Sequence, residues 1–343
     1  MEVDVTDLRR TNLMEVVEKL ARQHNLDIND ASAREAIAGL FANEIQEVVA
    51  NPIRVFGWRT EAMFAFVVAS LGKIQVLKGE DAGLLVSGTA VTPPDYRVLL
   101  NTGTQLLVEV KNWSPRGVVP KPFRIRSVDA ERLQAYSRAF GIELRFAIYW
   151  RQVNLWTLTR VDDFEQVGDK LQIALTDAMK RSTMCDLGDF MVGAEPPLSL
   201  RLESERPIQL PEHGNVGFRV GRASLSSGGV EIESEFERQL AWYFMLYGSW
   251  TAFRQEPIVQ GNEFLGVENL VEPEEWEPSQ GFAFLGSLSS MISNVFRSRT
   301  TKDDRVSFLS PQGDPATFGV FIPDDYQGDV LRLWRFHQQP NRE

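Results

Sequence analysis

Cysteine and histidine are scarce in this chain. The single cysteine, Cys185, excludes an internal disulfide framework and fits a reducing cytoplasm. The three histidines, His24, His213 and His337, lie far from it in sequence, so no thiol–imidazole pair is spelled out. Cys185 therefore reads as a small apolar side chain of the core. Long apolar runs are also missing. Stretches such as residues 62–71 fall well short of the ~20 residues a membrane span needs. The N-terminus carries Glu2, Asp4, Asp7, Arg9 and Arg10 and has no apolar core of signal-peptide type. The expectation is a soluble cytoplasmic protein without a membrane partner. No internal repeat and no low-complexity tract occurs.

Positive charge is in short supply: 36 Lys+Arg against 47 Asp+Glu give −11. That balance argues against indiscriminate binding of nucleic acid. The deficit is unevenly placed. Residues 51–165 carry fifteen basic and eleven acidic side chains, 15 − 11 = +4, whereas 231–277 carry two arginines and eleven glutamates, 2 − 11 = −9. A mildly basic middle beside an acidic C-terminal part is compatible with local phosphate binding.

At 343 residues, the chain has material for about two domains. Residues 1–52 read as a helical segment. Leu13, Val16, Val17, Leu20 and Ala21 form one apolar stripe and Ile37, Leu40, Phe41 and Ile45 another, with Asp30 as the second N-cap and Pro52 as the close. A helix over 61–71 capped by Thr60 follows, then strand-like runs at 74–77 and 84–86 and a hairpin over 96–110. Next come a loop over 112–126, a helix over 129–140 ended by Gly141, strands at 143–150 and 154–159, and a helix over 171–180. Helix, hairpin, helix, strand, strand predicts a compact α/β unit with a mixed sheet, placed at 53–185.

Residues 186–230, dense in Pro, Gly and Ser, read as a linker holding a strand at 198–202. Residues 231–343 read as a separate, acidic α+β domain. It has a helix over 233–246, a second over 285–296 and a final hairpin of 317–322 with 330–336. The second helix ends in Arg297 and Arg299 and reads as a core helix rather than one for a membrane surface or partner. The expected fold class is α/β (mixed α+β): a mixed central sheet flanked by helices, an N-terminal helical segment and a C-terminal α+β domain. A homodimer contact or protein partner would use the N-terminal helices or the C-terminal domain.

The chemistry gathers at one hairpin. Strands Tyr96–Leu100 and 105–110 are joined by Asn101-Thr102-Gly103, a loop suited to a type I turn with a left-handed glycine. In that register Leu100 faces Thr104, Tyr96 faces Val108 and Asp95 faces Glu109, while the period of two puts Lys111 on the face of Glu109. Two carboxylates and an ammonium then converge, an arrangement that costs free energy unless a cation sits between the acids. Of the eight lysines, Lys111 alone has an acid two positions earlier. With 47 acids, chance gives about one such match, so the pair means little without Pro94-Asp95 upstream in register. Pro323-Asp324 has no acid-x-Lys after it and reads as a loop.

Pro94-Asp95 followed by Glu109-Val110-Lys111 resembles the PD-(D/E)xK nuclease superfamily, which includes type II and Mrr-like restriction endonucleases and archaeal Holliday-junction resolvases. The resemblance covers roughly residues 58–165 and includes the family's order of elements. It implies a restriction-endonuclease-like core and metal-dependent cleavage of phosphodiesters. Asp95, Glu109 and the Val110 carbonyl would bind Mg²⁺, with Mn²⁺ able to substitute. Lys111 would position or deprotonate the attacking water and offset charge on the transition state. Glu61 matches the family's extra acid, reaching the metal directly or through water, and Gln134 matches a polar position on the following helix. Arg116, Lys121, Arg124 and Arg126, in an acid-free loop leaving the site strand, are candidate phosphate contacts.

The expected function is a Mg²⁺-dependent DNA endonuclease with a restriction-like or antiviral defence role, and junction or repair cleavage as second choice. RNA is a less favoured substrate. From another class, a catalytically silent nuclease fold used for nucleic-acid binding or scaffolding is the alternative.

Overall fold

A computed structural model describes residues 13–80, 85–115, 117, 121–302, 305–311 and 322–341. Helices α1 (Leu13–Gln23) and α2 (Ala31–Ala50) pack on each other through Leu20, Ala21 and Ile37. Asp30 caps α2 as expected, its carboxylate accepting the Ser32 N–H at 2.9 Å. Pro52 does not close this segment. It begins α3 (Pro52–Leu71), where a residue without an N–H costs nothing at the first helical position. The preceding Asn51 side chain accepts the Arg54 N–H at 3.3 Å. Thr60 is consequently no cap: it lies inside α3, and its hydroxyl donates to the Phe56 carbonyl at 2.7 Å.

The central sheet is built from β1 (Ile74–Gly79), β2 (Tyr96–Leu100), β3 (Gln105–Trp113), β5 (Glu143–Trp150) and β6 (Leu155–Arg160), in the order β1-β2-β3-β5-β6. Between β3 and β5 the chain passes through β4 (Phe123–Arg126) and α4 (Ser127–Phe140). β3 and β5 are parallel and all other neighbours antiparallel, so the sheet is mixed as the element order predicts. Alternation along β3 explains the layers. Leu106, Val108 and Val110 join Phe64 and Val67 of α3 in one core, while Leu107 joins Leu133 and Tyr136 of α4 in another. The helix over α4 ends at Gly141, which takes a left-handed conformation at φ 66°. Leu85 and Val86 form no strand and are exposed.

Two further expectations change nearby. The loop over 112–126 is interrupted by β4, which alternates buried Phe123 and Ile125 with exposed Arg124 and Arg126. β4 joins β8 (Lys170–Ile173) and β7 (Glu165–Val167) in a small antiparallel sheet. A turn at Gly168, φ 61°, makes this β-hairpin, so the helix expected over 171–180 shortens to α5 (Leu175–Arg181).

Residues 186–230 are not a linker. They supply β9 (Met191–Ala194), β10 (Leu198–Gln209), β11 (Val220–Ser227) and the start of β12 (Val230–Glu231). The glycines that suggested a linker include Gly228 and Gly229, both with positive φ, in the turn between β11 and β12. After α6 (Glu235–Tyr247) come β13 (Ala252–Gln260), β14 (Glu263–Glu272), β15 (Ala283–Ser287), α7 (Leu288–Thr300), β16 (Thr301–Lys302), β17 (Arg305–Val306) and β18 (Leu333–Phe336). One antiparallel sheet runs β12-β11-β10-β14-β13 and another β15-β9-β18. β18 therefore pairs with β9; the first limb of the expected terminal hairpin falls largely outside the described residues. Pro323-Asp324 lies in a turn, as read.

The C-terminal α+β part is joined to the central sheet by a shared apolar core. Phe64 and Val67 of α3, Leu187, Val192, Leu240 of α6 and Phe296 of α7 belong to one cluster, with the Phe66 and Phe296 rings 5.6 Å apart. α7 buries Met291, Ile292, Val295 and Phe296, which makes it the core helix its spacing predicts. Among the described residues no helix is long and apolar enough to cross a membrane. Cys185 is half-buried rather than fully enclosed.

Candidate active site

The turn 101–103 sets the geometry. Gly103, at φ 84°, donates its N–H to the Leu100 carbonyl at 2.9 Å, and Leu100 donates to Thr104 at 2.9 Å. Tyr96 then stands opposite Val108 and Leu99 opposite Gln105. One step further, the side chain of Asp95 takes over from the ladder: its Oδ2 accepts the Val110 N–H at 2.6 Å. From the other side, the Glu80 N–H donates to the Asp95 carbonyl at 2.9 Å. Glu109 is 8% exposed, and its Oε1 accepts a short hydrogen bond from Lys111 Nζ.

Burial pushes the Asp95 carboxyl up to about 8, helped by the negative charges of Glu109 and Glu61 and opposed by Lys111 and the Val110 N–H. Lys111 shows the converse balance. Burial pulls its ammonium down, but Glu109, Asp95 and Glu61 outweigh that and hold it above the ordinary lysine value. Asp95, just before β2, Glu109 and Lys111 of β3 and Glu61 of α3 are thus brought within electrostatic reach of one another.

The side-chain and carbonyl donors are all hard oxygens, and burial together with the neighbouring Glu109 charge disfavours the ionised Asp95 carboxyl. In donor type, Asp95, Glu109 and the Val110 carbonyl are of the kind that Mg²⁺ and Mn²⁺ take. Among the described residues no group of three or more His, Cys, Asp or Glu side chains is placed to hold a metal. Glu61 is felt by both Asp95 and Lys111 as a nearby negative charge.

The remaining candidates are scattered. Gln134 is half-buried on α4, with no hydrogen bond to Asp95, Glu109 or Lys111. Arg116 lies outside the described residues. Lys121 is exposed, and its carbonyl accepts the Trp113 indole N–H at 2.6 Å. Arg124 donates to Gln172 at 3.1 Å, and Arg126 is held by both oxygens of Asp129 at 2.7 and 2.8 Å.

A supporting cluster escaped the sequence reading. Glu80 is buried, and its Oε1 accepts from Arg97 at 2.5 Å and from the Tyr136 hydroxyl at 2.7 Å. Burial works to raise the Glu80 carboxyl, yet Tyr136, Arg97 and Lys78 together hold it below the ordinary value. The cluster ties α4 and β2 to the peptide that positions Asp95. Its one sequence signal is Arg97, a charge between the apolar Tyr96 and Val98.

No family model and no curated protein matches the sequence. Among solved structures the chain is similar to Hjc, a Holliday junction resolvase from the hyperthermophilic archaeon Archaeoglobus fulgidus. The match is 25% identical and covers 28% of this chain and 73% of that one, with a TM-score of 0.23.

Proposed function

We propose that this chain is a Mg²⁺-dependent endonuclease acting on DNA. The observation that carries the reading is the convergence of Asp95 and Glu109 across one hairpin, with Lys111 bound to Glu109. When bound, Mg²⁺ or Mn²⁺ polarises a phosphate oxygen and acidifies a water. Asp95, Glu109 and the Val110 carbonyl are the groups that would hold it.

The side chains have distinct parts. The Val110 N–H aims the Asp95 carboxylate. Glu109 orients the Lys111 ammonium, which stays protonated and offsets charge building on the phosphate oxygens. Glu61 adds negative charge that orders a water beside the acids, and Gln134 supplies a polar contact on the α4 side. Lys121 and Arg124, with Arg116, meet phosphates along the duplex, while Arg126 is already engaged by Asp129. A restriction-like, defence-related role is the first choice and junction or repair cleavage the second. The net charge of −11 favours a defined DNA structure or partner over indiscriminate binding.

Supercoiled, linear and branched DNA, and RNA, incubated with the purified chain and Mg²⁺ or Mn²⁺ against an EDTA control, test the reading. Cleavage of DNA that disappears in Asp95→Ala and Lys111→Ala supports it; cleavage unchanged in both variants sinks the site. One observation favours a second reading, nucleic-acid binding without cleavage: the Asp95 carboxyl, raised to about 8, is held protonated at neutral pH. That reading expects DNA to be retained but left intact with every metal.

A further inference from the structure

Away from the hairpin, Arg59, Arg151 and Arg297 all lie within electrostatic reach of Tyr149, and among the described residues none of the three is paired with a carboxylate. Arg59 of α3 is half-buried. Its guanidinium donates to the hydroxyls of Thr300 at 2.9 Å and Thr301 at 3.0 Å and lies 5.5 Å from the Phe296 ring centre. Its Nε is buried without a hydrogen-bond partner. Arg151, in the turn after β5, sits 5.0 Å over the Phe56 ring, and Arg297 of α7 donates to Asn294 Oδ1. Burial lowers the Arg59 pKa, and the charges of Arg151 and Arg297 lower it further. Three like charges that act on one another are unfavourable in the absence of an anion.

The cluster adjoins a cavity of about 490 Å³ between β6, β9 and α7, of the size small ligands occupy. Arg297, Asn294 and Asn154 are on its wall, and Trp156, Tyr247 and Phe336 provide aromatic surface. Asn154 links the two regions. It accepts from the Tyr149 hydroxyl at 2.8 Å and donates to Asn294 at 3.0 Å. The cavity's buried acid, Asp189, is already engaged by the Ser289 N–H at 2.9 Å and hydroxyl at 2.5 Å.

We propose that this is a nucleotide-binding site, with phosphate held by Arg59, Arg151 and Arg297 and the base against the aromatic wall of the cavity. Arginine forks suit phosphate, and flat bases stack on aromatic rings. The ligand is a nucleoside phosphate, free or as an unpaired nucleotide of a strand, and its binding does not depend on the cleavage reaction.

The full chain, in EDTA, is titrated with AMP, with a short oligothymidylate and with inorganic pyrophosphate. Cys185, the chain's single cysteine, lines the cavity, so its alkylation rate reports occupancy in the unmodified protein. Expected are saturable binding and slower alkylation with AMP or the oligothymidylate. AMP binding marks a free nucleotide; binding of the oligothymidylate alone marks a strand. Arg151→Gln, at an exposed position, weakens nucleotide and pyrophosphate about tenfold. Met191→Trp, filling the cavity from β9, weakens the nucleotide but not pyrophosphate. The proposal is overturned if neither AMP nor the oligothymidylate binds. It is equally overturned if Arg151→Gln, melting as the parent does, binds both unchanged. Asp95→Ala binds as the parent does whether or not the hairpin is a nuclease site.

Discussion

Asp95 Oδ2 accepts the backbone N–H of Val110, the residue between Glu109 and Lys111, at 2.6 Å. One hydrogen bond thereby ties the first acid of the site to the peptide that carries the second acid and the lysine. A register slip of one residue would turn Glu109 and Lys111 to the other face and break this link. The same closeness places Asp95 in the field of Glu109, and the consequences are measurable.

Asp95→Asn separates charge from geometry. The folded state raises the Asp95 carboxyl to about 8, so it holds a proton the unfolded chain releases. Asp95 therefore makes stability fall as pH climbs from the ordinary carboxylate range towards 8. Asparagine keeps an acceptor for Val110 without the charge. At pH 8 the variant should melt higher than the parent, by an amount on the order of 1 kcal/mol, while cleavage falls by about a hundredfold or more. Calorimetry at pH 6 and pH 8 checks this; a lower melting temperature at pH 8 would falsify the buried-charge account.

Metal binding should release a proton. At neutral pH the Asp95 carboxyl is largely protonated, and a cation beside Glu109 requires it ionised. Titration calorimetry with Mn²⁺ in two buffers of different ionisation heat should give apparent enthalpies that differ by about one proton's worth. Equal enthalpies in both buffers would mean that Asp95 is not a ligand.

Lys111 and Glu109 form a pair that neither loses cheaply. Lys111 is raised in the folded state, so its stabilising contribution is complete below the unfolded lysine pKa and fades only as pH rises through the higher folded value. Lys111→Ala at pH 7 leaves Glu109 buried and unpaired, costing about 1–3 kcal/mol and abolishing cleavage. Adding Glu109→Gln should restore part of the stability and none of the activity. Urea unfolding of the single and double variants measures the coupling, and simple additivity would contradict the contact.

Glu237 should matter to the C-terminal segment although it lies far from the hairpin in sequence. This side chain of α6, 4% exposed, accepts the N–H groups of Asp329 at 2.9 Å, Val330 at 3.2 Å and Leu331 at 2.8 Å. Glu237→Ala leaves three donors without their acceptor and should cost about 2–4 kcal/mol, with Glu237→Gln losing less. Limited proteolysis should then cut near 329–331 well before the central sheet yields. Unchanged protection in Glu237→Ala would show that other contacts hold the segment.

The hairpin was legible from sequence because its determinants are local. A three-residue turn with glycine last, set between apolar strands of period two, leaves one register that buries Val108 and Val110 together, and Asp95 meets the Val110 N–H beside Glu109 as a consequence. α4 and its Gly141 stop were readable for the same reason. Thr60 misled because a helix-start residue inside a longer helix looks no different in sequence, and Pro52 supplied the true start. The turn glycines 228 and 229 misled because hairpins and linkers use the same residues. Only the tertiary structure decided that α7 packs on α3 across more than 200 positions, that Glu80 reaches Tyr136, and that Arg59, Arg151 and Arg297 share one neighbourhood. Periodicity records which face of an element is apolar. Which distant element covers that face, and which charges are thereby brought together, depends on shape and packing that no local pattern encodes.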